Sequence, residues 1–339
     1  MDASTILRTL VEKKNLTERE AFSFLKNVMQ DKVTPVQIAA TLTALAMKGE
    51  SAQEITGFVK ALRAHMQKVD AKGAIDIVGT GGDGSGTFNI STTATFVVAG
   101  AGVKVAKHGN RAASSKCGSA DVLEALGVNI QLTPREAKEV FDRVGMVFLF
   151  APLYHPATKQ VAAVRKELKM RTVFNILGPL VNPASVQREL LGVTNLAIAR
   201  KMAAVSMSLP FAHILIVTSE GMDEVSITGK THVFEIKDRR LKKYTIDPKK
   251  YGFKKASRKD LQGADAKQNA EYTRDILAGK KGPKRDTVVL NSACALYASG
   301  EARSIKEGIA IAEESIDSGK ARRVLERLIE ETQKRSSRK

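Results

Sequence analysis

Five glycines fall within the eight residues Gly79-Thr80-Gly81-Gly82-Asp83-Gly84-Ser85-Gly86. A backbone with so few side chains approaches a ligand closely and points several N–H groups at one anion. Thr87-Phe88-Asn89-Ile90-Ser91-Thr92 follow, and Ser91 falls at the start of an apolar helix. Free N–H groups and the helix dipole favour phosphate there. One helix terminus contributes only about 0.3–1 kcal/mol at an exposed site, so tight binding needs several elements to converge. The same residues also read as a flexible glycine loop without a ligand. Gly79, Gly81 and Gly84 satisfy a literal GxGxxG, but the helix starts about seven residues too late for a dinucleotide pyrophosphate. The next strand ends in Ala106-Lys107 rather than an acid that would hold a ribose hydroxyl. A Walker A loop fails as well, because Ser85 stands where lysine is required.

A second polar loop follows the second strand: Lys107-His108-Gly109-Asn110-Arg111-Ala112-Ala113-Ser114-Ser115-Lys116-Cys117-Gly118-Ser119-Ala120-Asp121. Lys107 and Ser119 offer charge and a hydroxyl to phosphate, and Asn110 can orient a second substrate. His108 reads either as a base or as a hydrogen-bonded structural residue.

The elements that must position these loops are legible in outline. The first seventy residues read as about four short helices. Thr17-Glu18-Arg19-Glu20 and Ser51-Ala52-Gln53-Glu54 have capping-box form, and Thr34-Pro35-Val36-Gln37 adds proline at the first helical position. Gly49 ends the third helix. From residue 74 the pattern changes to strands at 74–78, 103–106 and 146–149, separated by helices at 91–100, near 120–126, and after the cap Thr133-Pro134-Arg135-Glu136. A strand at 213–218 and helices from Thr287, Ser304 and Ala321 complete the series. Strand–loop–helix repetition argues for a mainly parallel central sheet flanked by helices, an α/β fold with a small all-helical domain. Ligands of such sheets bind beyond the carboxyl ends of the strands, where both loops lie. The predicted boundaries are 1–72 for the helical domain, joined by helices from about 156–185. Segments 73–155 and 186–333 form the α/β domain, and 334–339 a frayed basic tail.

With 339 residues, 43% of them hydrophobic, the chain can bury a large core. The start has no long apolar segment of the kind that marks a signal peptide. The longest nearly apolar stretch, around 92–105, is too short and glycine-interrupted to span a bilayer. Two cysteines without CxxC spacing make no disulfide framework, and a cytoplasmic protein without membrane partners is expected. The net charge of +18 suits either nucleic acid or small polyanionic substrates. Between Lys237 and Lys259 there are eleven Lys or Arg and two Asp, with Tyr244, Tyr251 and Phe253 interspersed. That run reads as a single-strand-binding surface or as a solvated strand and turn.

Several segments together carry a resemblance. These are the two loops; Arg165-Lys166-Glu167-Leu168-Lys169-Met170-Arg171-Thr172 with Val173-Phe174-Asn175-Ile176-Leu177-Gly178-Pro179-Leu180-Val181-Asn182-Pro183; Gly221-Met222-Asp223-Glu224-Val225-Ser226; Asn269-Ala270-Glu271; Leu290-Asn291-Ser292-Ala293; and Asp317-Ser318-Gly319-Lys320-Ala321. In this order and spacing they resemble the anthranilate phosphoribosyltransferase family over nearly the whole chain. Lys169 departs from the pattern, since the family commonly has glycine before the Arg-Thr pair.

The resemblance implies a fold of the nucleoside phosphorylase/phosphoribosyltransferase type, with the active site between a helical and an α/β domain. It places 5-phosphoribosyl 1-pyrophosphate on Gly79, Gly82, Asp83, Thr87, Asn89, Ile90, Ser91 and Thr92. The pocket would be completed by Lys107, His108, Gly109, Asn110, Arg111, Ala112, Ala113, Ser114, Ser115 and Ser119. Anthranilate would contact Gly79, Asn110 and Arg165, whose guanidinium fork suits a carboxylate; without the resemblance, a surface arginine on the helix from Pro156 is the favoured reading of Arg165. Magnesium, as two ions, would be held by Asp223, Glu224 and the Ser91 hydroxyl, a set of oxygens suited to that metal. Adjacent acids are otherwise usually just solvated, and in a continued strand the two would point to opposite faces. The implied reaction transfers the phosphoribosyl group to the amine of anthranilate and releases pyrophosphate, a step of tryptophan biosynthesis, in a homodimer formed through the helical domain. No strong base is demanded, because an aromatic amine is unprotonated at neutral pH. Two other readings stay open: a nucleic-acid-binding relative of this fold, and a nucleoside phosphorylase, against which the paired acids and the extended phosphate cradle argue.

Overall fold

Four helices open the chain: α1 (Ala3–Val11), α2 (Glu18–Met29), α3 (Pro35–Lys48) and α4 (Ala52–His65). In the computed structural model, which describes residues 2–112 and 116–336, the hydroxyls of Thr17, Thr34 and Ser51 each accept the N3 amide. Each N3 side chain returns a bond to the cap backbone, so all three capping boxes close where the sequence expects them. The helices α2 and α4 cross closely, because Gly57 presents no side chain: a Cβ there would lie 2.4 Å from the Glu18 carbonyl oxygen. Buried Glu54 locks this layer by accepting from Leu16 N at 2.9 Å and from Lys48 Nζ at 2.9 Å.

The strands are β1 (Ile75–Gly79), β2 (Val105–Gly109), β3 (Met146–Phe150), β4 (Arg188–Gly192), β5 (His213–Thr218), β6 (Thr231–Lys237) and β7 (Arg240–Ile246). They form one sheet in the order β3-β2-β1-β4-β5-β6-β7. The first five are mutually parallel, and β6 and β7 add an antiparallel edge. Helices α5 (Ile90–Gly100), α6 (Ser119–Leu126), α7 (Pro134–Val144), α8 (Ala151–Tyr154), α9 (Lys159–Leu168), α10 (Phe174–Leu177), α11 (Leu196–Met207), α12 (Ala266–Leu277), α13 (Pro283–Ser299), α14 (Ile305–Asp317) and α15 (Lys320–Ser336) cover it.

Both faces of the sheet are apolar, as parallel strands covered by helices require. Along β5, Leu215 and Val217 enter one core with Phe96 of α5, Leu290 of α13 and Leu325 of α15. Ile214 and Ile216 enter the other, with Met202 of α11, Val161 of α9, and Phe24, Leu42 and Phe58 of the opening helices. The helical layer therefore packs on the same sheet face as α11.

Three of the expected boundaries differ by more than a residue. The second strand runs from Val105 to Gly109 rather than 103–106, so Lys107 and His108 are buried strand residues and not loop residues. Pro283, not Thr287, opens α13, since its missing N–H costs nothing at the first helical position. Lys334, Arg335 and Ser336 continue α15 instead of fraying. Arg335 is only 6% exposed and reaches Glu331 at 3.3 Å and Glu139 at 3.4 Å. The basic run forms the exposed edge strand β7 and the turns after it. Charges on an edge strand discourage pairing with another chain.

Candidate active site

Strand order places the site. The chain leaves β1 toward β2 and β3, then returns to pair β4 on the other side of β1, making a switch point between the ends of β1 and β4. Crevices of this kind hold the ligands of open α/β sheets. Gly79 ends β1 directly beside Gly192 at the end of β4. A Cβ on Gly192 would lie 1.6 Å from the Asp223 carbonyl oxygen, and one on Gly79 2.3 Å from Asp223 Oδ2. The two glycines are the floor that lets Asp223 enter the crevice. Gly192 escapes a reading of the sequence, because its role depends on which strands are neighbours.

Asp223 and Glu224 lie in the loop after β5, and both turn into the crevice, Asp223 to the glycine-rich segment and Glu224 to the start of α5. Asp223 Oδ2 accepts from Gly81 N at 2.7 Å, and Asp223 N donates to Asp83 Oδ2 at 3.4 Å. Glu224 Oε1 accepts from Ser91 N at 3.2 Å, taking a free N–H at the start of α5. Burial, reinforced by the neighbouring Asp83, pushes the Asp223 carboxyl up to about 7. Burial and then the Asp223 charge push Glu224 well above the usual carboxylate range. Beneath them the Lys107 ammonium, 2% exposed, donates to the Ile77 carbonyl at 2.6 Å and the Ser91 hydroxyl at 3.4 Å. Its charge therefore acts from below the pair rather than from the loop surface. Burial lowers its pKa, opposed by the nearby charges of Asp76, Glu224 and Asp223.

The glycine-rich segment is held from three sides. Gly81, Gly82, Gly84 and Gly86 have φ between 65° and 70°, a region that side chains disfavour. Gly263 N and Gln262 Nε2 donate to the Gly86 carbonyl at 2.8 and 3.3 Å. Arg171 Nη1 donates to the Gly82 carbonyl at 2.7 Å. A groove of about 180 Å³ runs along Gly82, Asp83, Gly84, Gly86 and Thr87, closed by Lys116, Cys117, residues 262–264 and Asn269. Asn89 Nδ2 donates to the Cys117 carbonyl at 3.3 Å, and its Oδ1 accepts from Asn269 Nδ2 at 3.0 Å, joining both loops to α12. Ile90 and Thr92 are buried in the first turn of α5.

The second loop divides. Ser119 Oγ donates to the Asn110 carbonyl at 3.2 Å, and Gly109 leaves room for that hydroxyl. The Asn110 side-chain oxygen accepts from Arg111 N. Arg111 is engaged by Asp121 and Glu124 on α6, and Ala112 N by Asp121 Oδ2 at 3.0 Å. Ala113, Ser114 and Ser115 lie outside the described residues. His108 is 3% exposed, and its Nδ1–H donates to the Gly178 carbonyl at 3.2 Å, leaving Nε2 as the acceptor nitrogen. Burial, with His155 at a ring distance of 5.2 Å, lowers its pKa to about 3, so the ring is neutral and a poor base near neutrality. Asn182 missed notice as a positioning residue: its Nδ2 bridges buried Asp76 on β1 and the Ala106 carbonyl on β2, at 2.7 and 2.8 Å.

Arg165 stands on α9, half-buried, with its guanidinium 5.5 Å from the Phe174 ring centre. Among the described residues its buried Nε has no hydrogen-bond partner, and burial lowers its pKa. An orphaned cationic donor of this kind is costly unless an anion meets it. No hydrogen bond among the described residues joins it to Gly79 or Asn110. Lys169, where the resemblance leads one to expect glycine, adopts φ 48° and caps α9 in the left-handed region. The turn is kept without glycine.

Comparison with known proteins agrees with this geometry. A glycosyl transferase family matches twice, through its a/b domain over residues 71–322 and its helical bundle domain over residues 4–66. An anthranilate phosphoribosyltransferase of Methanobrevibacter smithii is 50% identical, with 95% of this chain and 97% of the relative covered. One from Acetivibrio thermocellus is 49% identical, with 95% and 94% covered. The crystal structure of the enzyme so named from Thermus thermophilus superposes with a TM-score of 0.92 at 41% identity, covering 98% of this chain and 100% of that one. The Saccharomyces cerevisiae enzyme, in complex with PRPP and Mg, gives 0.90 at 32% identity, with 98% of each chain covered.

Proposed function

The chain belongs to the anthranilate phosphoribosyltransferase family, and from that premise we propose that it transfers the phosphoribosyl group of 5-phosphoribosyl 1-pyrophosphate to the amine of anthranilate, with pyrophosphate released, in tryptophan biosynthesis. One observation carries the reading: the carboxylates of Asp223 and Glu224 meet Gly81 N–H and Ser91 N–H at the switch point.

Asp223 and Glu224 crowd negative charge into a buried site beside Asp83, and both of the buried pair resist ionisation. That donor set, with the Ser91 hydroxyl, fits magnesium, which takes carboxylate oxygens beside substrate phosphates. Two ions suit the split of the pair, Asp223 toward Gly81 and Glu224 toward Ser91. Bound there, magnesium supplies positive charge for the departing diphosphate. The amides of the glycine-rich segment and the first turn of α5 orient the donor, and Lys107 adds charge from beneath. The relative from yeast was solved with PRPP and Mg, which supports this assignment.

Arg165 is the receptor we assign to the anthranilate carboxylate, with Asn110 and Gly79 as the further contacts that the family resemblance implies. Positioning of the two reactants is then the larger share of catalysis, together with stabilised charge on the leaving oxygens. His108, held neutral, takes no proton before attack, because the amine already has a free lone pair, and the N–H proton is released after the C–N bond forms. Val11, Val36 and Met47, exposed at 68, 78 and 84% on or beside α1 and α3, suit the self-association of a homodimer through the helical layer. No helix among the described residues is long and apolar enough to cross a membrane.

The test is direct. Mixed with anthranilate, 5-phosphoribosyl 1-pyrophosphate and magnesium, the protein should extinguish anthranilate fluorescence at a rate proportional to enzyme. Fluorescence that stays constant over hours with all three present would refute the assignment.

A further inference from the structure

We propose that Arg171 is a positioning residue that sets the orientation of the donor loop from the opposite wall of the crevice. Three observations lead there. First, the left-handed turn at Lys169 redirects the chain after α9. Met170 then leans on α3, its sulfur 4.0 Å from the Thr43 hydroxyl, while Arg171 reaches to the glycine-rich segment, 2.7 Å from the Gly82 carbonyl. Second, the guanidinium lies close over that peptide, since a Cβ on Gly82 would stand 3.2 Å from Arg171 Nη1. Third, the loop has little conformational preference of its own. Four of its residues are glycines with positive φ, and such a backbone takes many conformations unless something outside it chooses one.

The physical consequence follows from peptide planarity. In a trans peptide the carbonyl and the next N–H point to opposite sides. When Arg171 takes the Gly82 carbonyl, the Asp83 N–H is turned away from Arg171. Asp83 itself is then fixed by its carboxylate, which accepts from Ser85 N at 3.0 Å and from Asp223 N at 3.4 Å. Further along, Gly86 is anchored by Gln262 and Gly263. Just ahead of those anchors, at Gly82, Arg171 is the hold supplied by the segment after α9, six residues beyond Arg165. The wall assigned to the acceptor thus also shapes the loop assigned to the donor.

The role rests on the proposed transferase reading, so its test has one arm that needs no turnover. Arg171→Ala and Arg171→Lys would be compared with the natural chain by hydrogen exchange of residues 79–88 without ligands, and by initial rates with each substrate varied. A charge-assisted hydrogen bond is of a size that predicts roughly a tenfold rise in donor KM for Arg171→Ala. Anthranilate KM at saturating donor should stay within about twofold, Arg171→Lys should recover part of the donor affinity, and loop amides should exchange faster in Arg171→Ala. Unchanged donor KM, unchanged exchange, or equal rises in both KM values with no recovery by lysine would overturn the proposal. If the natural chain shows no turnover, the transferase reading fails, while the exchange arm still decides whether Arg171 orders the loop.

Discussion

Arg165 puts the residue-level account at risk most simply. Among the described residues its buried Nε has no partner, and an anion arriving from outside would remove that cost. Each charge-assisted bond to a carboxylate contributes about 1.5–3 kcal/mol. Arg165→Ala should therefore raise anthranilate KM by tenfold or more in initial-rate measurements at saturating donor, and an unchanged value would remove Arg165 from the site. The imidazoles give a second prediction. Burial lowers His108 to about 3 and His155 to about 4, from an ordinary 6.5. As pH falls from about 6.5 toward those values, the unfolded chain binds protons that the native rings refuse, so stability is lost through that window. Buried carboxyls such as Asp223, raised to about 7, act in the opposite sense. The difference between proteins isolates the ring: between pH 7 and 5 the urea midpoint of the natural chain should fall further than that of His108→Asn. Parallel pH dependences would contradict the assignment. The same variant should retain measurable transferase activity.

At the level of elements, much was legible because local chemistry and tertiary placement agree. Capping boxes at Thr17, Thr34, Ser51 and Thr133 start their helices without help from distant contacts. The second strand extends further than its sequence suggests because Lys107 and His108 carry the polarity of a loop; acceptors supplied from elsewhere, among them the Ile77 and Gly178 carbonyls, let them lie inside the sheet. Close crossings are equally invisible in sequence. Helix propensity alone would favour alanine over Gly57 by about 0.8–1.0 kcal/mol. A Cβ there, however, meets Glu18 O at 2.4 Å and Ala21 Cβ at 2.8 Å. Gly57→Ala should thus destabilise by about 1–3 kcal/mol, as overpacking commonly does. A raised denaturation midpoint would show that α2 and α4 separate freely.

For the whole molecule, the sequence displayed the two loops and the acidic pair but not that they meet. Their meeting depends on β4 lying beside β1, which brings Gly192 under Asp223, and strand order is written in packing rather than in any one segment. The net charge of +18 is likewise a property of the whole surface, much of it on the edge strand β7 and the turns after it. The central claim is that buried carboxylates and converging N–H groups together form one cation-dependent diphosphate site. Calorimetric titration of 5-phosphoribosyl 1-pyrophosphate with and without magnesium, into the natural chain and into Asp223→Asn/Glu224→Gln, tests it most directly. The account predicts that magnesium strengthens binding to the natural chain by at least about tenfold, a difference of about 1.4 kcal/mol, and that the double variant loses this gain. Equal magnesium dependence in both proteins would contradict it.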